Sequence, residues 1–224
     1  MSINRPYRTI NSLPEVIPVF PLPGAILLPR GQLPLNIFEP RYISMVDSAL
    51  AGDRIVGMIQ PVETAGVDCG ANALHPVGCV GRITRIAETG DGRYILTLTG
   101  VARFRVLEEL EMCTQFRQCR VDYRSFENDL IDRSGENLVD RGKVITTLRR
   151  FAEARDLRID WQEIERASNE LLVNALSMIS PFGVSEKQAL LEAGDLKSRG
   201  DVLVAITELE LARNNGPQGS KILQ

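Results

Sequence analysis

The apolar and polar positions change their repeat once along the chain, from a period of two residues to one of about 3.6 residues. Before about residue 125, short apolar runs end at proline or glycine, which is typical of strands and turns. The predicted strands are Val16–Phe20, Ala25–Leu28, Leu33–Phe38, Arg54–Gln60, Val77–Ala87, Arg93–Leu107 and Phe116–Tyr123. Thr89-Gly90-Asp91-Gly92 is typical of a hairpin turn between two of these runs. Helical spacing predicts one helix in this part, over Glu39–Ala51.

From about residue 136 the apolar residues recur at helical spacing. This spacing predicts helices over Asn137–Ala154 and Trp161–Ile179. Ser185 and Gln188 have the spacing of a capping box at the start of a short third helix. Asp195 should cap a last helix that runs to about residue 213. Strands first and helices second predict an α+β fold, or two lobes, rather than a βαβ sheet.

The predicted organisation has four parts. We expect a flexible N-terminus over residues 1–13, a β-rich lobe over 14–125, a helical lobe over 126–213 and a disordered tail over 214–224. The chain has 224 residues and a mass of 24.8 kDa, which suits one large domain or two small ones. This length is too short for an ATPase domain, a protease domain and a recognition domain together.

Charge and cysteine content narrow the class of protein. There are 26 Lys+Arg against 29 Asp+Glu, and the resulting charge of −3 argues against a dedicated nucleic-acid binder. The first twenty residues lack the apolar core of a signal peptide and no apolar run is long enough for a membrane helix, so we expect a cytoplasmic protein. Cys69, Cys79, Cys113 and Cys119 match no common zinc spacing, so we expect free thiols, with Cys79 in the core.

A search for catalytic motifs is mostly negative. His75 is the single histidine, and it should lie in a loop with a local hydrogen bond. Neither a phosphate-binding GxxxxGK[ST] loop nor a GxSxG nucleophile elbow is present. Counting alone does not exclude a Ser–Lys pair, but Lys187 and Lys197 are expected on surface helices, where an activated amine is not favoured. We expect no metal and no cofactor, and elimination leaves a binding or assembly module.

Several stretches resemble the N-terminal domain of Lon protease. Ile17–Leu50 contains the family's Phe38-Glu39-Pro40-Arg41-Tyr42 motif, and His75–Glu109 is similar to its paired strands. Ala175–Phe182 and Glu186–Gly194 follow the family's last segment. The resemblance covers about residues 14–213. It implies a PUA-like pseudo-barrel lobe with one helix, followed by a helical bundle lobe.

The resemblance also implies a function. In the full protease this domain contributes to substrate recognition and oligomer assembly and carries no catalytic residue. Because the chain lacks the ATPase and peptidase domains, we expect a stand-alone, non-enzymatic protein-binding module. The implied partners are unfolded or partner protein segments, with a protease or chaperone as candidate partners and homo-oligomerisation left open. We expect no membrane partner and no nucleic acid.

The family motif has two interpretations. In the structural one, Phe38 and Tyr42 pack the helix onto the sheet while Glu39 and Arg41 satisfy backbone groups or each other. In the functional one, Phe20, Leu22, Phe38 and Tyr42 border an apolar groove for extended peptides. Prolines 18, 21, 23, 29 and 34 stiffen this region and could leave a strand edge available for peptide addition.

Two alternative functions stay open at this point. The PUA-like grouping suggests a nucleic-acid-binding module, with candidate arginines near one hairpin: Arg82, Arg85, Arg93, Arg103 and Arg105. The overall charge of −3 weighs against this alternative. Arg103 and Arg105 alternate with Phe104, so we expect them on the opposite face of the strand, a solvated one. The other alternative is an uncharacterised hydrolase.

Overall fold

The computed structural model describes residues 7–62, 73–111, 113–156 and 160–215. Its strands and helices confirm the α+β class, with strands before helices. The strands are β1 (Val16–Pro21), β2 (Gln32–Ile37), β3 (Ile55–Ile59), β4 (Val77–Glu88), β5 (Tyr94–Leu110) and β6 (Gln118–Asp122), with α1 (Pro40–Ala51) between β2 and β3. The later helices are α2 (Arg141–Ala154), α3 (Trp161–Arg166), α4 (Asn169–Ile179), α5 (Val184–Glu192) and α6 (Leu196–Asn215). None of the helices in these ranges is long and apolar enough to cross a membrane.

The strands form a closed barrel because β5 is long enough to serve two partners along one edge. Its first half pairs with β2 and its second half with β6, while β4 pairs along the other edge. β3 and β1 complete the ring between β4 and β6, and β1–β3 is a parallel pair. β2 stays outside the ring as an edge strand, which suits its Pro34 because proline donates no ladder hydrogen bond.

Glycines let the barrel interior hold a large side chain. Phe104 of β5 is fully buried inside the ring. A Cβ on Gly78 would overlap the Phe104 ring, and one on Gly57 would lie 3.1 Å from its Cζ. The register also shifts between Val80 and Gly81, and such bulges help a sheet to curve.

The predicted strand Ala25–Leu28 is wrong. This segment belongs to the connection between β1 and β2, and Ile26, Leu27 and Leu28 are buried in it without joining the sheet. Gly100 of β5 faces the connection closely, since its N–H donates to the Gly31 oxygen over 2.8 Å. A short apolar run does not distinguish a buried strand from a buried loop, and here the loop covers the barrel.

The helical lobe departs from the sequence prediction in two places. The single helix expected over Trp161–Ile179 is two helices, because Ser168 caps α4 by accepting a 3.2 Å hydrogen bond from the Leu171 N–H. The predicted capping box is wrong: α5 begins at Val184, and Gln188 is buried and donates to the Val77 oxygen of β4 instead. The Asp195 cap is confirmed, since its carboxylate accepts from the Ser198 N–H at 2.7 Å.

The predicted chain ends are only partly within the described residues. Of the segment 1–13, the described part contains a 3₁₀ turn over Ile10–Ser12, and Leu13 is buried. Of the tail 214–224, α6 includes residues 214 and 215, and 216–224 lie outside the described residues. Residues 63–72, between β3 and β4, also lie outside them.

The barrel and the later helices share one apolar core, and buried polar side chains add contacts between them. Gln60 of the barrel donates to the Gln188 side chain at 3.0 Å and to the Val184 oxygen at 3.1 Å. Arg103 reaches from β5 to the carbonyls at the end of α5, and Asp129 holds it in place. These contacts fix the position of α5 relative to the barrel. The helix before it, α4, forms one wall of the site described next.

Candidate functional site

An open cavity of about 660 Å³ lies between the barrel and the helical lobe. The β1–β2 connection forms its barrel side with residues 29–32, and α4 forms the opposite side. Residues 132–133 and 166–168 close one end. We call this cavity the α4 groove.

The helix side of the α4 groove is apolar. Leu171, Ala175, Met178 and Ile179 recur at helical spacing and line it together. Leu171 is 55% exposed and Ile179 is 75% exposed, although the opposite face of α4 is buried in the helical lobe. Glycine is needed at position 31, because a Cβ there would overlap the Met178 sulfur. The groove therefore presents an apolar stripe whose end members, Leu171 and Ile179, are exposed, while Ala175 and Met178 between them are half-buried.

One buried carboxylate organises the charged wall. Glu170 of α4 pairs with Arg30 through both its oxygens, with Arg30 Nε 2.9 Å from Oε2. The same Oε2 accepts the backbone N–H of Arg133 at 3.0 Å. Arg30 and Arg133 both have left-handed backbones, with φ of 63° and 57°, which is unusual for residues other than glycine. Glu170 thus holds two strained residues at the groove entrance.

A second layer of polar contacts supports α4 from below. Asn174 donates to the Pro29 oxygen at 3.2 Å and accepts from Arg199 Nη1 at 3.0 Å. Arg199 of α6 also donates to the Leu190 oxygen at 3.0 Å, so both of these partners are uncharged oxygens. Burial, reinforced by nearby Arg103, lowers the pKa of Arg199 to about 10. This layer ties both walls of the groove to the interior of the protein.

Arg166 stands apart from these paired groups. It is exposed at the end of α3 and lines the groove beside the first turn of α4. Its guanidinium has no hydrogen bond or ion pair within the part of the chain that the structure describes. Among the residues that the structure describes, the α4 groove therefore combines an apolar stripe with one unpaired cation at one end.

The residues predicted to border a peptide groove do not form one open surface. Phe20 and Tyr42 are buried against each other, with ring centroids 4.3 Å apart. Leu22 is half-buried, whereas Phe38 is 61% exposed. The prediction that Phe38 packs the helix onto the sheet is wrong, because Phe38 follows β2 and turns away from the core. Tyr42 does pack α1 into the core.

The rest of the family motif behaves as the structural interpretation predicts. Arg41 pairs with Glu39 at 2.8 Å and lies over the Tyr42 ring. Pro40 occupies the first position of α1, where its missing N–H costs nothing. Tyr42 also lines a smaller cavity of about 230 Å³ with Phe116. Burial raises the pKa of Tyr42 in spite of neighbouring Arg41.

Two charged residues expected on the surface are buried. Arg103 is 3% exposed and pairs with Asp129, so the prediction of a solvated strand face is wrong for it, although Arg105 is exposed. Lys187 is also buried, and its Nζ donates to the Met178 oxygen at 2.9 Å. Burial lowers the pKa of Lys187. Both side chains gain carbonyl partners at helix ends, which periodicity does not reveal.

The alternative sites are not assembled in the described residues. Of the hairpin arginines, Arg103 is internal and Arg93 pairs with Asp91 at 3.0 Å. Within ranges 7–62, 73–111, 113–156 and 160–215, no group of three His, Cys, Asp or Glu side chains could hold a metal ion. His75 is half-buried and its backbone N–H donates to the Gln60 oxygen. Cys79, Cys113 and Cys119 are free thiols, while Cys69 lies outside the described residues.

Two solved structures of Lon N-terminal domains have this architecture. The crystal structure of a Lon N-terminal domain protein from Xanthomonas campestris aligns with a TM-score of 0.60 at 21% identity, over 85% of this chain and 97% of that chain. The N-terminal domain of a Mycobacterium avium complex Lon protease aligns with a TM-score of 0.62 at 17% identity, over 86% and 98%. At these identities the similarity supports the fold alone.

Sequence relatives point to the same family. Lon protease 2 of Myxococcus xanthus is 28% identical over 202 residues, covering 84% of this chain and 23% of the relative. The Lon protease of Parabacteroides distasonis is 29% identical over 202 residues, covering 90% and 24%. The chain thus spans about a quarter of the length of these curated relatives. Residues 16–208 match the family model of the ATP-dependent protease La (LON) substrate-binding domain, and the chain belongs to that family.

Proposed function

We propose that this chain is a non-catalytic module that binds exposed apolar segments of other polypeptides, and that the α4 groove is its main contact surface. The carrying observation is that Leu171 and Ile179, two large apolar side chains of α4, stay exposed at the edge of an open groove, with half-buried Ala175 and Met178 between them. Ligand sites are typically concave and lined mainly by apolar side chains. The family's description as a substrate-binding domain supports the same class of ligand.

The rigidity of the groove favours binding. Glu170 fixes Arg30 and the Arg133 backbone on one side, while Asn174 and Arg199 fix α4 on the other. A wall that is already ordered loses little conformational entropy when a ligand binds. Binding free energy would then come mainly from covering Leu171 and Ile179, at about 25 cal/mol per Å² of apolar surface.

The exposed Phe38 side chain remains our second candidate surface for peptides, and the small cavity at Tyr42 is a separate feature that Phe38 does not line. Phe20 is in the core and would support Tyr42 rather than touch a ligand. Leu22 lies half-buried nearby. Because this region and the α4 groove involve different residues, substitutions separate them.

The absence of catalysis is part of the proposal. Three described lysines lie on the later helices: Lys187 donates to the Met178 oxygen, Lys197 pairs with Asp201, and Lys143 is exposed on α2, where an activated amine is not favoured. We therefore expect purified protein to leave casein intact with or without ATP. Robust cleavage that is lost on substitution of a single serine or lysine would overturn this part of the proposal.

The wider setting follows from the same proposal. A protease or a chaperone would be a fitting partner, because both act on polypeptides with exposed apolar segments. A cytoplasmic location, also inferred from the sequence, is tested by cell fractionation. Self-association is tested by analytical ultracentrifugation of the purified chain.

The decisive assay measures binding of fluorescein-labelled casein by fluorescence anisotropy. Ile179→Lys should weaken binding at least tenfold, because it places a charge on the apolar stripe. Leu209→Lys is the matched control, since Leu209 is an exposed leucine of α6 that does not line the groove. If Phe38→Lys abolishes casein binding and Ile179→Lys does not, binding would be assigned to the second surface. No binding of casein by the unmodified chain would refute the proposed function.

A further inference from the structure

The charges of the α4 groove are not balanced along its length. Two carboxylates line it, and both contact Arg30: Glu170 through the paired oxygens and Asp132 at 3.7 Å from Nε. Arg133 pairs with Glu136 at 2.7 Å. Arg166 is left without a partner among the described residues. The three arginines and three carboxylates named here balance in number, but the guanidinium that has no partner among the described residues lies at the end of the groove where α4 begins.

The apolar stripe occupies the rest of the groove. It runs from Leu171 in the first turn of α4 to Ile179 at the end. The most exposed member, Ile179, lies at the opposite end from Arg166. A ligand that covers the whole groove must therefore be apolar along most of its length and acidic at one end.

From these observations we infer that the α4 groove selects polypeptide segments in which an acidic side chain follows or precedes apolar side chains, with the carboxylate at Arg166. This inference rests on the proposed function and specifies its substrate class. A segment of this composition matches both the free cation and the uncovered stripe. Carboxylate and guanidinium form charge-assisted hydrogen bonds, which fix orientation as well as adding affinity.

The length of the groove sets the spacing of the segment. α4 has 11 residues, and at 1.5 Å per residue this is about 16 Å. An extended chain advances about 3.3 Å per residue, so about five residues span the groove. In an extended chain every second side chain has the same orientation. The matching segment therefore has apolar residues at its first and third positions and an acidic residue at its fifth, or the same pattern in reverse order.

Short labelled peptides test this pattern directly. The probes are fluorescein-labelled Leu-Ser-Leu-Ser-Glu, the peptide of reversed order, and a version of each with Lys in place of Glu. In one of the two orders, the Glu peptide should bind the unmodified chain at low salt at least fivefold more tightly than its Lys version. Arg166→Glu should reverse this preference. Arg150→Glu is the matched control, because Arg150 is an exposed arginine of α2 outside the groove, and it should leave the preference unchanged. Salt should weaken the preference, since it screens exposed charges.

The outcomes separate this inference from the proposed function. Equal binding of the Glu and Lys peptides, or a preference that Arg166→Glu does not change, would overturn the inference. If casein still binds in that case, the proposed function stays in place. Displacement of the Glu peptide by micromolar decanoate, a free amphiphile, would assign the groove to small acidic amphiphiles and overturn it as well. Failure of casein to bind would instead refute the function. Reversal of preference by Arg166→Glu, without displacement by decanoate, supports the inference.

Discussion

Arg103 of β5 and Asp129 form a buried ion pair in which the guanidinium makes two hydrogen bonds to the carboxylate, from Nε at 2.9 Å and from Nη2 at 2.8 Å. The Arg103 backbone N–H adds a third bond to Asp129 at 2.9 Å. The same guanidinium donates to the oxygens of Leu191 and Ala193 at the end of α5. A cation is favourable there, because the C-terminal end of a helix carries partial negative charge. One side chain of the barrel thereby stabilises a helix of the other lobe.

Asp129→Asn should lower the free energy of unfolding by about 3 kcal/mol, because it leaves a buried arginine without its counter-charge. The measurement is urea unfolding followed by circular dichroism. Asp201→Asn is the control: its partner Lys197 and its own side chain are both about half exposed, and its loss should cost less than about 1 kcal/mol. Equal losses in the two variants would contradict the role assigned to Asp129.

Gly100→Ala should destabilise the protein by about 3 kcal/mol, the upper end of the range for overpacking. A Cβ at this position would overlap the Leu28 carbonyl of the β1–β2 connection, and backbone cannot rotate away as a side chain can. Gly90→Ala, at a site with nothing within 4 Å of the added Cβ, is the control and should be nearly neutral. Thermal unfolding of the three proteins provides the comparison.

The barrel strands were largely predictable because alternation and turn residues are local signals. The Thr89–Gly92 turn and its two strands appear where the sequence places them. The buried loop over Ala25–Leu28 was not predictable, since its burial depends on the distant residue Gly100. Likewise, the apolar face of α3 and α4 continues through Ser168, and periodicity therefore concealed the break.

The candidate site was harder to predict than the fold. Glu170 contacts Arg30 and the Arg133 backbone, residues far apart in the sequence, and no spacing rule links them. Ile179 belongs to a stripe that the sequence suggests is core, although it is the most exposed of the large apolar side chains. Only the packing of α4 against the rest of the lobe decides which part of a wide apolar face stays uncovered.

Lys187 should make stability depend on pH. Burial lowers its pKa below the usual value of 10.5, so between the folded-state pKa and 10.5 the unfolded chain binds more protons than the folded one. Stability contributed by this group therefore rises as the pH rises through that window. From pH 7 to pH 10, the unfolding free energy of the unmodified chain should increase relative to that of the Lys187→Met variant. A difference that is independent of pH would contradict this assignment.

The thiols should differ in reactivity according to burial. Burial raises the pKa of Cys119 to about 11 and raises that of Cys79 further, so neither forms a thiolate readily near neutral pH. Cys113 is exposed. In a Cys69→Ser variant, titration with Ellman's reagent at pH 8 should show one fast thiol in the folded protein and three in urea. Fast reaction of more than one thiol before unfolding would contradict the burial of Cys79 and Cys119.

Glu170→Gln should weaken casein binding at least threefold and lower the free energy of unfolding by about 2 kcal/mol, the range for hydrogen bonds to charged groups. The reason is that Arg30 and the Arg133 backbone lose their shared anchor at the groove entrance. Glu165→Gln changes an exposed carboxylate 3.9 Å from Arg149 and should affect neither quantity. Anisotropy titrations and urea unfolding measure the two effects separately.

The central claim is that the α4 groove binds polypeptides, and photo-crosslinking of the bound complex tests it most directly. Casein labelled with a diazirine would be bound to the unmodified chain, irradiated and digested, and the attachment sites identified by mass spectrometry. We predict attachment within residues 166–179 and 29–32, which line the two sides of the groove. Attachment concentrated at residues 38–42, or scattered over the surface without enrichment at α4, would contradict the claim.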